Sequence, residues 1–299
     1  MKPTTPNAEP PARRSAYVFG VIVGPTDPRL PPSRRALPGM GPVRVVEVPA
    51  KPGRGAVPHA VGPAKRRRAA SSRMFVILAD APVNLYDEAG IERGLGDLEW
   101  VSRAAVAHER VIEAFLDVTA LLPMKLFTIF KTEERALEYI AGEKRRFTAA
   151  AKRVADHHEW GMRVAFDPSR ARGLSSSRVP ARKRSVAGGG GEEAVSGATY
   201  LRYKKAQLRA AAEGSALAKK TASALYDRVA AHARSSVRRA ATDDPGEGRT
   251  VLLDAAFLVP RSRTAKFRAV VAREARSLAP QGYGLTLTGP WPPYSFVQD

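Results

Sequence analysis

Cysteine is absent from this 299-residue chain. That excludes disulfides, thiolate metal sites and a cysteine nucleophile, and it fits a reducing cytoplasm. Histidine is scarce, with His59, His108, His157, His158 and His232 the only five. Long apolar runs are also missing. Tyr17–Val23 spans seven residues and Gly24-Pro25 ends it. Although Arg13-Arg14 precede it, the run is short for a secretory signal and lacks a small-residue cleavage site, so it reads as a strand. No stretch approaches the roughly 18 apolar residues of a membrane span. Acidic residues are few beside the basic ones, 29 against 49, which leaves a net charge of +20.

The excess charge is unevenly placed. Residues 1–72 hold 13 Lys/Arg and 3 Asp/Glu, and residues 168–247 hold 16 and 7. Segments 73–167 and 248–299 are nearly neutral, and they carry the clearest patterning. Residues 1–14 are polar and Pro-rich and read as a tail. Residues 49–72 contain Lys65-Arg66-Arg67-Arg68 among prolines and read as a basic insertion. Residues 169–197, rich in Arg and Ser with Gly188–Gly191, read as a flexible basic linker. The linker separates an N-terminal domain over 15–168 from a C-terminal domain over 198–299.

Turn signals on both sides of Tyr17–Val23 mark a buried first strand. Val43–Val48 and Met74–Ala79 follow as strands. Asp97 is a natural N-cap, and Leu98, Val101, Ala105, His108, Ile112, Phe115, Thr119 and Leu122 recur at helical spacing. The spacing predicts a helix of about 24 residues, stopped by Pro123, with Met124–Phe130 as a strand. Thr132 opens a second helix running to about His158, and Trp160–Phe166 alternates as a strand. A long helix is predicted from Thr199 to Ala241, then strand Val251–Val259, helix Thr264–Leu278 and strand Tyr283–Leu287. Pro290, Pro292 and Pro293 exclude continuing that last strand in a sheet interior. Both halves fit an α+β class with helices on one face of a mostly antiparallel sheet. A ferredoxin-like variant is the leading topology, and a long helix opens the second domain.

The sequence offers little to an enzyme. His108 lies on the apolar face of its helix, with no nucleophile or orienting acid in view, and reads as a hydrogen-bonded core residue. Glu109 beside it faces elsewhere, since neighbours on a helix diverge. His157-His158-Glu159 ends a helix and reads as a cap or solvated turn, because a closed zinc site needs four converging ligands. Gly188–Gly191 lacks the Lys-Ser/Thr of a phosphate loop. We therefore expect no catalytic, cofactor-binding or metal-binding residues, and no cofactor. The basic runs Lys65–Arg68, Arg182–Arg184 and Arg202–Arg209 suit phosphate contacts. They lack stacking aromatics apart from Tyr203, so a basic nucleic-acid-binding protein is kept as the alternative function only.

The carboxyl end is distinctive. Gly289-Pro290-Trp291-Pro292-Pro293-Tyr294-Ser295-Phe296-Val297 packs three aromatics and three prolines into nine residues. Proline stiffening lowers the entropy lost on ordering, and each aromatic offers large contact area. Such a tail either docks on its own domain or presents Trp291, Tyr294 and Phe296 as anchors for a partner.

That terminus resembles the closing signature of the GvpL/GvpF gas vesicle family. Other segments agree in the family's order. Tyr17-Val18-Phe19-Gly20-Val21 is similar to its opening strand, and Trp100 with Ala107-His108-Glu109-Arg110-Val111 to its W…aHe.v helix. Leu122–Phe130 is similar to its LPlrFGtvf strand, with Lys125 in place of the usual Arg and no glycine in Leu126-Phe127-Thr128. Glu159-Trp160-Gly161 and Gly197-Ala198-Thr199-Tyr200-Leu201 also fit. The resemblance covers about residues 16–299. It implies a cytoplasmic, non-enzymatic accessory protein acting in gas vesicle assembly. Its implied partners are the hydrophobic shell protein and other gas vesicle accessory proteins, not a membrane or nucleic acid.

Overall fold

The computed structural model describes residues 14–29, 37–49, 72–170, 197–240 and 249–297. Most of the expected tail 1–14, of the insertion 49–72 and of the linker 169–197 lies outside these residues, as does the turn expected at Asp243–Gly248. The chain divides into two compact units, one of residues 1–158 and 290–299 and one of residues 159–289.

The first unit is built around strand β1 (Arg14–Gly24). Strands β2 (Arg44–Glu47), β3 (Arg73–Pro82) and β4 (Ala120–Pro123) complete the order β2-β3-β1-β4, and β5 (Ile129–Phe130) also pairs with β1. All these pairings are antiparallel. Because β1 is central, Ala16–Val23 are buried without alternation, which is why that stretch reads as one apolar run. The β1–β3 register shifts at Phe19, between Val18 and Gly20. A bulge of this kind bends the strand and re-aims its groups. Here the Phe19 carbonyl accepts the Met124 N–H at 2.9 Å, just where β4 ends.

Helices of the first unit are α1 (Val83–Tyr86), α2 (Glu88–Leu95), α3 (Leu98–Glu113), α4 (Glu133–Gly142) and α5 (Lys144–Val154). Asp97 caps α3 by accepting from Glu99 N and Trp100 N, and Thr132 caps α4 by accepting from Arg135 N. Helix α3 buries Ala104, His108, Val111 and Ile112 against a cluster that includes Tyr17, Phe19, Ile77 and Phe115.

The second unit holds, in order, β6 (His157–Phe166) from Glu159 on, α6 (Gly197–Ala230), β7 (Ser235–Arg239), β8 (Thr250–Pro260), α7 (Thr264–Leu278) and β9 (Tyr283–Trp291) as far as Gly289. The sheet order β7-β8-β6-β9 makes this the ferredoxin-like βαββαβ arrangement. Trp160, Met162 and Val164 of β6 pack with Leu225 and Val229 of α6, Phe257 of β8, and Phe267 and Val271 of α7. The chain is thus α+β with two antiparallel sheets, as its patterning predicts.

Several element boundaries differ from the sequence reading. The helix from Asp97 ends at Glu113, and Ala120–Pro123 is strand, because β1 offers those residues a ladder at Gly20–Val23. Of the expected strand Met124–Phe130 only Ile129–Phe130 is strand, while Met124 and Thr128 each share a backbone hydrogen bond with β1 across the intervening turn. The helix expected from Thr132 to His158 breaks at Glu143, just after Gly142. The long helix ends at Ala230, and Ser235–Arg239 turns back to pair with Asp254–Leu258. Strand β9 runs through Pro290 to Trp291, which its edge position permits, since an edge strand needs no amide donor on its outer side.

Gly289 lies inside this strand at φ +125, and a Cβ there would lie 2.9 Å from the Glu159 carbonyl and 3.2 Å from the Trp160 ring. Gly289→Ala is expected to cost about 1–3 kcal/mol. Chemical denaturation checks this, and the lost stability should appear without loss of the far-ultraviolet signal of the folded state.

Candidate partner-binding site

The proline-aromatic tail forms part of the first unit. Pro292 and Pro293 are buried, and the one-turn helix α8 (Tyr294–Val297) follows them. Its turn is closed by Tyr294 N to the Pro292 carbonyl at 2.8 Å and Phe296 N to the Pro293 carbonyl at 3.0 Å. Of the three aromatics singled out in the sequence, Tyr294 packs against the first core cluster. Its hydroxyl donates to Glu109 Oε2 at 2.5 Å. Burial, reinforced by the hydrogen bond to the Glu109 carboxylate, pushes that hydroxyl well above the usual phenol range, so it stays a donor. Phe296 is half-buried, and Trp291 is exposed at 36%.

Beside the tail lies a groove of about 290 Å³. Its walls come from the end of β4 with the turn after it, from α4 and α5, and from Val297. Phe130 and Tyr139 face each other with ring centroids 5.4 Å apart. Tyr139 is an exposed aromatic, while Leu122, Phe147 and Ala150 are buried. Among the described residues, Lys125 and Arg146 bring positive charge to the lining.

The shape of the groove depends on the turn Met124–Thr128. The Thr128 amide and hydroxyl both donate to the Lys125 carbonyl. Phe127 takes φ +62, a left-handed conformation usually left to glycine. For a non-glycine residue this costs about 1–2 kcal/mol, and a ring stack and a chain of hydrogen bonds hold it there. Phe127 stacks on Trp100 at 5.2 Å and 15°. Its amide donates to Tyr17 Oη at 3.1 Å. Tyr17 Oη in turn lies 2.8 Å from His108 Nδ1, and His108 Nε2 lies 3.2 Å from the Met124 carbonyl.

The direction of the chain of hydrogen bonds follows from what each group can do. A carbonyl only accepts, so Nε2 carries the His108 proton and Nδ1 accepts from the Tyr17 hydroxyl. The Tyr17 oxygen is then free to accept from Phe127. This needs a neutral imidazole, and burial pushes His108 down to about 4, the bond to Met124 opposing it only in part. Burial likewise raises the Tyr17 hydroxyl above its ordinary range. His108 is therefore a structural core residue, as its helix face suggests, and its neighbour Glu109 points instead to the tail. Consecutive residues of α3 thus hold two walls of one groove, the turn and the tail.

The relay itself was not legible in the sequence. The one signal was a histidine on an apolar face, which demands a buried partner without saying which. His157 and His158 lie near backbone carbonyls instead of gathering ligands, with His157 Nδ1 2.5 Å from Ala155 O and His158 Nε2 3.2 Å from Leu116 O. Among the described residues no group of three or more His, Cys, Asp or Glu side chains could hold a metal ion. No helix among them is long and apolar enough to cross a membrane. Basic runs Lys65–Arg68 and Arg182–Arg184 lie outside the described residues.

Comparison with known proteins gives a consistent answer. The model of the family described as gas vesicle synthesis protein GvpL/GvpF matches residues 15–298. The chain is 28% identical over 245 residues to gas vesicle protein L of a Streptomyces species, covering 80% of this chain and 85% of that one. It is 26% identical over 216 residues to gas vesicle protein L2 of Halobacterium salinarum, covering 68% and 74%. In fold it is similar to the crystal structure of GvpF from an Anabaena species, with TM-score 0.59 and 14% identity over 96% and 97% of the two chains. GvpF from Microcystis aeruginosa gives 0.54 and 16% over 95% and 99%.

The relay predicts a pH dependence. His108 has a depressed pKa when folded, so the unfolded chain binds its proton more readily. Stability from this group is fully present above pH 6.5 and is lost as the pH falls through 6.5 towards 4. The loss approaches about 3 kcal/mol. Urea titrations of the wild type and His108→Gln between pH 7 and 4 check it, and the wild type should lose that much more than the variant.

Proposed function

This chain belongs to the GvpL/GvpF family of gas vesicle synthesis proteins, and on that footing we propose that it is a non-catalytic accessory factor that holds the shell subunit during vesicle assembly. The role is a gas vesicle role, as the family and its curated relatives establish. Our reading of how it acts is a protein-binding one, set in the cytoplasm, with the hydrophobic shell protein and other accessory proteins as partners. A subunit with a large apolar face aggregates unless it is covered, and a pre-shaped apolar groove provides such cover.

The observation that supports this most is the groove of the first unit. It offers exposed aromatic surface at Tyr139 and half-buried apolar surface at Phe130 and Val297, in a frame fixed from inside. Preorganisation matters, because affinity is reduced by whatever ordering binding demands. Within the tail the three aromatics divide the work. Tyr294 clamps the tail to α3 through Glu109. Trp291 and Phe296 keep accessible ring surface for a partner, and aromatic anchors commonly dominate interface energy.

The test is direct. Trp291→Ala, Phe296→Ala and Tyr139→Ala combined in one chain should leave the melting temperature within a few degrees and weaken capture of the purified shell protein at least tenfold. Tyr294→Ala should instead lower the melting temperature, since it strands a carboxylate contact. Undiminished capture by the folded triple variant would refute the proposal.

A further inference from the structure

Helix α6 outruns the core it serves. Ala218, Ala222, Leu225 and Val229 form its buried stripe, spaced as one helix face. Continued towards the N-terminus, the same face meets Gly214, Ala211, Gln207 and Lys204, none of which packs. Every described side chain from 201 to 217 is exposed. About 25 Å of helix therefore stands clear of its own unit's core.

That projecting part and the turn after it carry Arg202, Lys204, Lys205, Arg209, Lys219 and Lys220 against a single acid, Glu213. At 100° per residue the six cations fall on one side, a sector of about 160°. Leu201 and Leu208, seven residues apart and 66% and 63% exposed, lie inside that sector. None of the six cations has an ion-pair partner among the described residues. Like charges three and four apart destabilise an isolated helix. Alanines at 206, 210, 211, 212 and 216 supply propensity that offsets this but remove nothing from the surface.

We propose that this face of α6 is a docking surface for an acidic amphipathic helix of another polypeptide. Two features select that occupant. Charge complementarity calls for an anion-rich partner, whose approach the cations would also steer. The leucine pair within the charged sector calls for apolar contact between the carboxylates, in the manner of a seam with charged flanks. A phosphate backbone would satisfy the cations and leave both leucines uncovered. A membrane surface needs a broad apolar face opposite a polar one, and here the leucines share a face with the charges. The surface belongs to the second unit and is independent of the groove proposed above.

The experiment uses the full chain and a synthetic 21-residue peptide with leucines at heptad spacing and glutamates flanking them. Fluorescence anisotropy at 50 and 300 mM salt gives its affinity. A scrambled peptide of identical composition, a 20-base-pair duplex and phosphatidylserine vesicles are measured in parallel. The patterned peptide should bind at least tenfold more tightly than the scrambled one and more tightly than the duplex or the vesicles. Arg202→Glu/Lys205→Glu/Arg209→Glu and, separately, Leu201→Ala/Leu208→Ala should each weaken it at least tenfold, with circular dichroism unchanged because every altered side chain is exposed. Equal binding of the two peptides, tighter binding of duplex or vesicles, or indifference to the leucine pair would each overturn the proposal.

Discussion

A neutral imidazole between a tyrosine and a backbone carbonyl is the constraint on which the first unit's surface depends. Phe127, Tyr17, His108 and Met124 are linked by hydrogen bonds that all run one way. Strand, helix and turn are thereby tied at a single buried point. The magnitudes explain why a phenylalanine tolerates a glycine's conformation. Left-handed strain of about 1–2 kcal/mol is set against net hydrogen-bond contributions of about 0.5–1.5 kcal/mol each. An aromatic pair adds about 0.5–1.5 kcal/mol. The contacts outweigh the strain, and the turn stays where the groove needs it.

Helix α3 is the organiser of this arrangement. Trp100 stacks on Phe127, His108 fixes Met124 through its carbonyl, and Glu109 receives the tail's tyrosine. The helix motif that resembles the family pattern therefore acts at two walls of the same groove. Prolines at 292 and 293 bring the tail to it with little freedom left to lose. A surface held this firmly needs no ordering before a partner meets it, which is the property the proposed role calls for.

Periodicity made the fold class and most elements legible. The strand Val251–Val259 and the helix Thr264–Leu278 are close to their observed limits, the run Tyr17–Val23 lies inside β1, and the helix after Asp97 starts where its cap places it but ends sooner. What escaped was decided by distant partners. Ala120–Pro123 continues a helical pattern but joins β1 through a ladder that only the folded chain offers. Ser235–Arg239 is short and Arg-rich, and becomes strand because β8 lies beside it. Glu143 breaks a helix whose periodicity continues across it. In the tail, the aromatics announced importance, yet their spacing carried no sign that Tyr294 turns inward while Trp291 stays exposed.

Hydrogen exchange on the full chain, with and without the purified shell protein, addresses the central claim most directly. A pre-shaped groove predicts added amide protection at residues 122–130, 139–150 and 294–297 when the shell protein is present. It also predicts that the 122–130 turn is already slow to exchange in the free chain. Protection confined to other segments, or a turn that exchanges freely until the client arrives, would contradict the account.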